Sequence, residues 1–216
     1  MSKKITFLIL SGPTREYIDP VRYISNESSG KMGNALVEAV LENGYEVIFV
    51  SGPVNKFPKN IKPIKVIATL EMFREVKTNF RKADIIISVA AVADYRPLET
   101  YKHKLKKDCL KSIKLKQNRD IVKYCGENKK NQVVVGFALE TKDLIKNAKL
   151  KLKNKNLDLI VANDKTALNS NRATAYIVSD KGVAKIKNMT KKTIAGKIIH
   201  EAIRIFENIK SCKNIS

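Results

Sequence analysis

Short apolar runs that end in small residues constrain the fold of this chain most. Three such runs span residues 5–10, 46–50 and 85–89, and they lead into Ser11-Gly12-Pro13, Ser51-Gly52-Pro53 and Ala90-Ala91. Continuous apolar runs of this length are typical of strands buried on both faces. Between the first two runs, apolar residues recur at helical spacing from Met32 to Val40. Strand, helix and strand in this order predict a right-handed crossover and a parallel pair.

The remaining patterns extend the same architecture. Further strands are predicted at 64–67, 133–138 and 157–162, and 85–89, the most apolar run, is the candidate central strand. Thr69 is the predicted N-cap of a helix that carries Met72, Phe73 and Val76 on one face. Two later runs, 175–179 and 183–186, predict a β-hairpin, and a last helix begins at about Thr190. We therefore expect one α/β domain over residues 1–216, with a mainly parallel sheet, helices on both faces and a small β-hairpin appendage.

Composition excludes several classes of protein. The three cysteines Cys109, Cys125 and Cys212 are far apart and lack metal-ligand spacing, so we expect free thiols. No signal peptide and no apolar run long enough for a bilayer is present, which favours a cytoplasmic protein without membrane contact. The net charge of +21 comes from 42 Lys and Arg against 21 Asp and Glu, but no basic tail or aromatic-interleaved basic motif is present. We expect no nucleic-acid partner.

The segment 19–33 is a Ser- and Gly-rich loop that leads into the first helix. A helix start presents backbone N–H groups without carbonyl partners and a partial positive charge, so it favours phosphate or carboxylate. Ser28 and Ser29 add hydroxyl groups, and Gly30 allows a ligand to approach the backbone. This loop is therefore a candidate anion site.

Two common nucleotide motifs are missing. The first strand is followed by Gly12-Pro-Thr-Arg15 and not by the G-x-G-x-x-G motif of dinucleotide sites. In a Walker A loop Gly-Lys is followed by Ser or Thr, whereas Gly30-Lys31 is followed by Met32. In an open parallel sheet ligands still collect beyond the carboxyl ends of the strands. The long polar segment 90–112 follows the candidate central strand, and loops of that length are usually functional or mobile.

Taken together, seven motifs resemble the phosphopantothenate-cysteine ligase family, in order and at similar spacing. They are Gly12-Pro-Thr-Arg-Glu16, Asp19-Pro-Val-Arg-Tyr-Ile-Ser-Asn-x-Ser-Ser-Gly-Lys-Met-Gly33, Ser51-Gly-Pro53, Ala90-Ala-Val-Ala-Asp-Tyr-Arg96, Lys104-x-Lys-Lys107, Gly136-Phe-Ala-x-Glu-Thr141 and Asn156-Leu-Asp-Leu-Ile-x-Ala-Asn-Asp164. Nothing in the chain resembles the flavin-binding decarboxylase half of bifunctional members, so we expect a stand-alone bacterial ligase.

The resemblance implies a modified Rossmann-like scaffold, usually dimeric, and a reaction in two steps. The carboxylate of 4′-phosphopantothenate attacks the α-phosphate of CTP to give an acyl cytidylate and pyrophosphate. The amine of L-cysteine then displaces CMP to form 4′-phosphopantothenoyl-L-cysteine, a step of coenzyme A biosynthesis. Mg²⁺ is the implied metal, with ligands that the sequence does not specify. A separate phosphopantothenoylcysteine decarboxylase is a possible functional partner, and residues 165–188 are the expected dimerisation element.

The resemblance also assigns residues to catalysis and to substrate binding. Asn26 matches the family's catalytic asparagine, although an ordinary loop-capping asparagine is the alternative. Lys104 matches a lysine that contacts substrate and nucleotide phosphates, although lysine is frequent throughout this sequence. Ser28, Ser29 and Gly30 are the expected substrate contacts, together with Lys104. His103 is interpreted as an incidental surface residue.

A larger set is expected to bind the nucleotide through the strand ends, the base pocket and the phosphates. Lys151 and Lys155 share a helix face as i and i+4, whereas Lys149 and Lys153 lie on other faces. The expected nucleotide-binding residues are Gly12, Ser51, Gly52, Ala90, Ala91, Asp94, Lys104, Arg119, Asp120, Ile121, Phe137, Lys151 and Lys155.

One departure from the family affects the choice of nucleotide. The family commonly has Asn-Pro-Asp-Ile where this chain has Asn118-Arg-Asp-Ile121, so a rigid proline is replaced by a guanidinium group. An ATP-dependent version of the ligase is therefore the alternative within enzymes. A non-catalytic nucleotide-binding protein on the same scaffold is the alternative outside them, and it would bind nucleotide without releasing pyrophosphate.

Overall fold

The computed structural model describes residues 4–107, 111–140, 142–163, 170 and 172–213. The strands, in chain order, are β1 (Thr6–Ser11), β2 (Arg15–Tyr17), β3 (Tyr23–Ser25), β4 (Glu46–Ser51), β5 (Ile64–Lys65), β6 (Ile85–Ser88), β7 (Tyr95–Pro97), β8 (Leu115–Gln117), β9 (Val133–Leu139), β10 (Leu159–Asn163), β11 (Arg172–Ser179) and β12 (Gly182–Thr190). The helices are α1 (Lys31–Glu42), α2 (Thr69–Asn79), α3 (Ile121–Asn128), α4 (Leu144–Asn154) and α5 (Lys191–Lys213).

Eight strands form one sheet in the order β12-β11-β10-β9-β6-β1-β4-β5. The six strands from β10 to β5 are parallel, and β6 lies between β1 and β9. The predicted parallel sheet and its central strand are therefore confirmed. The carboxyl ends of the parallel strands meet at one edge, called the ligand edge below, where open α/β sheets bind their ligands.

The predicted hairpin is present and continues the main sheet. Strand β11 is antiparallel to β10, and β12 is antiparallel to β11. After these two reversals β12 runs in the same direction as the parallel strands. Its last residue, Thr190, therefore lies at the ligand edge, and α5 begins there.

Alternating side chains of the strands build two apolar layers, one on each face. Phe7 and Ile9 of β1 pack in a cluster with α1 and α5, whereas Leu8 and Leu10 pack in a cluster with α2, α3 and α4. The prediction of helices on both faces is confirmed. Burial of the apolar stripe of each helix against the sheet is the main stabilising contribution.

The predicted N-cap at Thr69 is wrong. Helix α2 begins at Thr69, the cap position is Ala68, and no side chain caps the helix there. The Thr69 amide donates to Glu16 Oε1 at 2.8 Å, and its hydroxyl lies 3.0 Å from the Thr14 hydroxyl. Because these contacts are made to residues far away in sequence, the local pattern did not reveal them.

The segment after the central strand has more structure than its composition predicts. Strand β7 pairs with β8 in a separate two-stranded ladder, and β2 pairs with β3 in another. The predicted strand 64–67 pairs only over Ile64–Lys65. Cys109, Thr141 and Asp164 lie outside the described residues.

Candidate functional site

A cavity of about 570 Å³ lies at the ligand edge, and its volume is typical of small-molecule sites. It is built from strand ends, from the start of α1 and from α4. Most of the predicted site residues line it together: Asn26, Ser28, Ser29, Gly30, Ala90, Ala91, Asp94, Arg119, Asp120, Ile121, Phe137, Lys151 and Lys155.

The loop 26–30 forms one wall, and its shape is fixed by hydrogen bonds and by one glycine. Asn26 Nδ2 donates to the Val92 carbonyl at 2.8 Å, so this amide spans from the loop to the segment after β6. An asparagine amide has a second N–H and a carbonyl oxygen, which remain for a ligand. Gly30, at the N-cap of α1, has a φ of 71°, and a Cβ there would lie 2.8 Å from Val54. Only glycine adopts this conformation without strain.

The floor of the cavity contains two buried polar atoms that the sequence analysis missed. Ser11 is 1% exposed, and neither its hydroxyl nor the Asn163 Oδ1 atom has a hydrogen-bond partner within the described part of the chain. Both residues line the cavity at the ends of β1 and β10. Since buried polar groups are nearly always paired, these atoms are candidate ligand contacts. Their position at strand ends was the available sequence signal.

The segment 118–121 forms the opposite wall. Asn118 is buried. Its side-chain Nδ2 atom donates to the Ala93 carbonyl at 2.8 Å, and its backbone N–H donates to the Asp94 carbonyl at 2.7 Å. Asp120 caps α3, because its Oδ1 atom accepts from the Lys123 amide at 3.0 Å. The guanidinium of Arg119 lies 5.5 Å from the centre of the Phe73 ring, so this substitution for proline makes a cation–π contact beside the cavity.

Lys151 of α4 and Lys155, the C-cap residue of this helix, line the cavity, and each has an acidic partner. Lys151 Nζ is 2.6 Å from Glu140 Oε1, and Lys155 Nζ is 2.7 Å from Asp120 Oδ2. Burial alone raises the pKa of Glu140, but hydrogen bonds from Lys151 and Asn147 outweigh it and lower the pKa. Each of these two lysines therefore has a carboxylate partner at the cavity.

The starts of two helices bring further lysines to the cavity. Lys31 and Lys191 are the first residues of α1 and α5, and both line the cavity. Burial and the nearby charge of Lys31 lower the pKa of Lys191. The sequence analysis missed Lys191, because only the direction of β12 brings the start of α5 to this edge.

Four predicted nucleotide-binding residues do not line the cavity: Gly12, Ser51, Gly52 and Lys104. Ser51 is fully buried, and its hydroxyl donates to the Gly52 carbonyl at 3.0 Å. A Cβ on Gly52 would lie 1.7 Å from the Pro13 carbonyl oxygen, and one on Gly12 would lie 3.0 Å from the Gly52 carbonyl oxygen. These residues allow the chain segments that follow β1 and β4 to pass very close to each other. Their role in nucleotide binding stays a prediction.

Lys104 is exposed and lies outside the cavity. Its segment is held by hydrogen bonds to Asp19 and Arg22. The fully buried Asp19 carboxylate accepts hydrogen bonds from the amides of Val21, Arg22 and Leu105 and from the Arg22 guanidinium. The same guanidinium donates to the Leu105 carbonyl at 2.7 Å. Burial raises the pKa of Asp19, but these hydrogen bonds outweigh it and hold the pKa well below its ordinary value. The Asp19–Arg22 pair thus anchors the residue next to Lys104.

The described residues also bear on metal binding and on membrane insertion. Within the described ranges, no three His, Cys, Asp or Glu side chains gather as metal ligands would. None of the helices described here combines the length and the apolar character needed to cross a bilayer.

A model of the DNA/pantothenate metabolism flavoprotein C-terminal domain family matches residues 2–205. The chain belongs to this family. A solved family structure, the C-terminal domain of a coenzyme A biosynthesis bifunctional protein CoaBC, is 37% identical with a TM-score of 0.82, over 94% of this chain and 96% of that one. The predicted family and the Rossmann-like fold are confirmed.

Curated relatives in the family are longer proteins. The coenzyme A biosynthesis bifunctional protein CoaBC of Borreliella burgdorferi is 40% identical over 203 residues, which are 92% of this chain and 52% of that protein. The protein of the same name from Bacillus subtilis is 49% identical over 160 residues, which are 73% of this chain and 39% of that protein. This chain therefore spans about half the length, or less, of these family members.

Proposed function

We propose that this protein is the ligase that joins 4′-phosphopantothenate to L-cysteine through an acyl cytidylate, with release of pyrophosphate and CMP. One observation carries the proposal: thirteen of the residues predicted to act in catalysis or binding line one cavity at the ligand edge. The similarity to the C-terminal domain of CoaBC, a protein named for coenzyme A biosynthesis, supports it.

The chemistry requires an activated carboxylate, because oxide is too poor a leaving group for direct attack by an amine. An oxygen of the carboxylate forms a bond to the α-phosphorus of the nucleotide, and the bond from that phosphorus to the bridging oxygen breaks. The cysteine amine then forms a bond to the acyl carbon, CMP leaves, and the amine loses a proton. Positioning and charge stabilisation supply most of the rate enhancement in such phosphoryl chemistry.

In this proposal Asn26 acts at the acyl centre. Its hydrogen bond to the Val92 carbonyl uses one N–H of the amide, so the second N–H remains for a ligand in the cavity that Asn26 lines. In this role the N–H donates to the carboxylate oxygen and later to the oxygen that gains charge when the amine attacks. Ser28, Ser29 and Gly30 hold the same substrate through hydroxyl and backbone groups.

The nucleotide occupies the remainder of the cavity in this proposal. Ala90, Ala91 and Phe137 provide the small and apolar surfaces for the base, and Asp94, Asp120, Lys151 and Lys155 provide polar contacts. CTP is the proposed nucleotide, with ATP as the alternative, because Arg119 stands where the family has proline. Lys104 closes over the phosphates from its exposed segment.

In this proposal the nucleotide supplies more of the Mg²⁺ ligands than the protein does. Because no cluster of three acidic or imidazole ligands is present in the described ranges, a magnesium ion would be held mainly by the nucleotide phosphates, as is usual for this ion. When bound, it would neutralise part of the phosphate charge.

The decisive experiment is a single-turnover assay that follows pyrophosphate and amide separately with CTP and with ATP. We expect both products with CTP. A marked preference for ATP would contradict the choice of nucleotide, and nucleotide binding without pyrophosphate release on addition of 4′-phosphopantothenate would favour a binding protein.

Variants test the residue roles in the same assay. Asn26→Ala should retain nucleotide binding but accumulate the acyl nucleotide, whereas Lys104→Ala should slow pyrophosphate release. Lys102→Ala is the matched control, because it removes an exposed lysine two residues away. A fully active Asn26→Ala protein, or equal effects of Lys104→Ala and Lys102→Ala, would contradict the assignments.

Lys151→Met and Lys149→Met form a second pair on one helix. Lys149 is exposed and does not line the cavity. We expect Lys151→Met to weaken CTP binding about tenfold, the effect of about 1.4 kcal/mol, and Lys149→Met to leave it unchanged. Equal affinities in the two variants would remove Lys151 from the site.

Assembly and partners complete the proposal. A homodimer formed through the β11–β12 hairpin is expected, and its mass in solution would reveal it. A separate phosphopantothenoylcysteine decarboxylase is the proposed consumer of the product, since bifunctional relatives carry further sequence beside the matching region.

A further inference from the structure

Thr14 is a fully buried residue between β1 and β2, and all of its polar atoms are hydrogen-bonded. Its N–H donates to the Ala91 carbonyl at 3.3 Å, and its carbonyl accepts from the Ser25 hydroxyl at 2.7 Å. Its hydroxyl oxygen accepts from the Ala93 N–H at 2.9 Å. One buried residue thus contacts the strand that leads into Asn26 and the segment that follows β6.

The hydroxyl groups of Thr14 and Thr69 form a closed ring with the Ala93 peptide. The two hydroxyl oxygens are 3.0 Å apart, and the Thr69 hydroxyl donates to the Ala93 carbonyl over a longer 3.4 Å. Because a hydroxyl has one hydrogen and Thr69 gives its own to this carbonyl, Thr14 donates to Thr69. The Ala93 N–H then donates to Thr14 and closes the ring. The two threonines are at most 1% exposed, so water does not compete for these bonds.

The ring holds a part of the cavity wall. Ala93 lines the cavity, and its carbonyl also accepts from Asn118 Nδ2 at 2.8 Å. On one side of it, the Val92 carbonyl accepts from Asn26 Nδ2 at 2.8 Å. On the other side, the Asp94 carbonyl accepts from the Asn118 N–H at 2.7 Å. Three successive carbonyl groups are therefore hydrogen-bonded to the two opposite walls of the cavity.

Asn26 is connected to Thr14 by two routes. Along the chain, the preceding residue Ser25 donates its hydroxyl hydrogen to the Thr14 carbonyl. Through its side chain, Asn26 donates to Val92, which is bonded covalently to Ala93 in the ring. Asn26 itself is exposed, so packing alone does not fix its position. The position of its amide relative to the cavity wall therefore depends on Thr14.

Thr6 provides a comparison for a purely structural role. It is the first residue of β1, at the end of the strand far from the ligand edge, and it is 7% exposed. Its hydroxyl donates to Glu46 Oε2 at 3.4 Å, and the residue does not line the cavity. Loss of this hydroxyl affects stability, but these contacts do not lead to Asn26.

We propose that Thr14 is a positioning residue of the ligase, which holds Asn26 and the segment 91–94 in one arrangement so that the acyl group and the nucleotide meet correctly. The proposal rests on the proposed ligase function, in which Asn26 acts at the acyl centre and the segment 91–94 contacts the nucleotide. Thr14 does not line the cavity, so it acts through these neighbours and not on a substrate.

Single-turnover release of pyrophosphate at saturating CTP and 4′-phosphopantothenate tests this role. Thr14→Val has nearly the same shape as the wild type but no hydroxyl. We expect it to slow the release about tenfold or more, because small displacements of reacting groups have effects of this order. Thr14→Ser keeps the hydroxyl and should recover most of the rate. Thr6→Val is the matched control, and it should lower the unfolding temperature but not the rate.

A second variant keeps the test valid if Thr14→Val does not fold. Ser25 is half-buried, and Ser25→Ala breaks the other route to Asn26 while the ring stays intact. Pyrophosphate release should be several-fold slower in this variant as well. A wild-type rate in Ser25→Ala and Thr14→Val, or equal rates in Thr14→Val and Thr6→Val, would overturn the proposal.

Nuclear magnetic resonance of the full chain without substrate gives a readout that is independent of the reaction. The side-chain amide signals of Asn26, identified by their absence in Asn26→Ala, should shift in Thr14→Val and stay unchanged in Thr6→Val. Unchanged Asn26 signals in Thr14→Val would overturn the positioning role, and normal amide formation by the wild type would then leave the ligase function intact. A wild type that forms amide with neither CTP nor ATP, but whose Asn26 signals depend on Thr14, would refute the ligase and keep the connection.

Discussion

Gly33 lets α1 begin directly against the end of β1, and its replacement by alanine tests that contact. A Cβ at this position would lie 1.9 Å from the Ser11 hydroxyl oxygen and 2.4 Å from the Ser11 Cβ. Carbon atoms do not approach so closely, so α1 and β1 must separate locally by about 1 Å or the serine must move. Ser11 is 1% exposed, so a movement of its side chain also disturbs the atoms packed around it.

Overpacking of this kind costs about 1–3 kcal/mol, and the better helix propensity of alanine offsets up to about 1 kcal/mol of it. We therefore expect Gly33→Ala to lower the free energy of unfolding by about 1–2 kcal/mol. For a chain of 216 residues each kcal/mol corresponds to about 2–4 °C in Tm. Urea and thermal unfolding followed by circular dichroism measure both quantities.

Two further variants serve as controls for this prediction. In a Ser11→Gly background both clashing atoms are absent, and the next neighbour, Val89, lies at an ordinary 3.5 Å, so Gly33→Ala should cost nothing there. Gly196→Ala, in α5, meets no atom within 4 Å and should stabilise the protein by up to about 1 kcal/mol. A Gly33→Ala protein as stable as the wild type, or one with the same loss in both backgrounds, would refute the packing argument.

Two other predictions concern ionisable groups. Asp19→Asn should loosen the segment that carries Lys104, seen as faster proteolytic cleavage between residues 98 and 107. Because folding lowers the pKa of Asp19, its stabilising contribution is complete above the ordinary pKa of about 4 and is lost as the pH falls through the lower pKa of the folded state. The difference in free energy of unfolding between wild type and Asp19→Asn should therefore be constant above about pH 5 and shrink in strong acid. With Cys109 replaced by serine, a thiol reagent at pH 8 should modify the exposed Cys212 at once. The buried Cys125 should react only on unfolding, since burial and the charge of Asp120 raise its pKa to about 12. Rapid double labelling of the folded protein would contradict this.

Elements with a strong local pattern could be predicted from the sequence. The buried strands β1, β6 and β9 are continuous apolar runs. Helix α1 follows a Ser- and Gly-rich loop and ends at Asn43-Gly44, a common helix stop, so nearby residues alone define these elements. The same holds for the cavity lining, where the motif residues follow strand ends that a parallel sheet must bring to one edge.

The parts that could not be predicted depend on contacts between distant segments. Strands β7 and β8 have three residues each, too few for a pattern, and they form because each pairs with the other. From the sequence Ser11 is an ordinary turn residue, and only the fold brings Gly33 into contact with it. The acidic partners of Lys151 and Lys155 lie on other elements, so their pairing follows from the fold and not from helical spacing.

The two strands β11 and β12 determine at which edge of the sheet the last helix of this chain begins. An even number of extra strands after β10 brings the chain back to the ligand edge, so the last helix starts there and Lys191 lines the cavity. Removal or addition of a single strand would start that helix at the opposite edge of the sheet, a full strand length away. Natural or designed variants of this fold should therefore change their hairpin region by pairs of strands whenever they keep a basic residue at the start of the last helix.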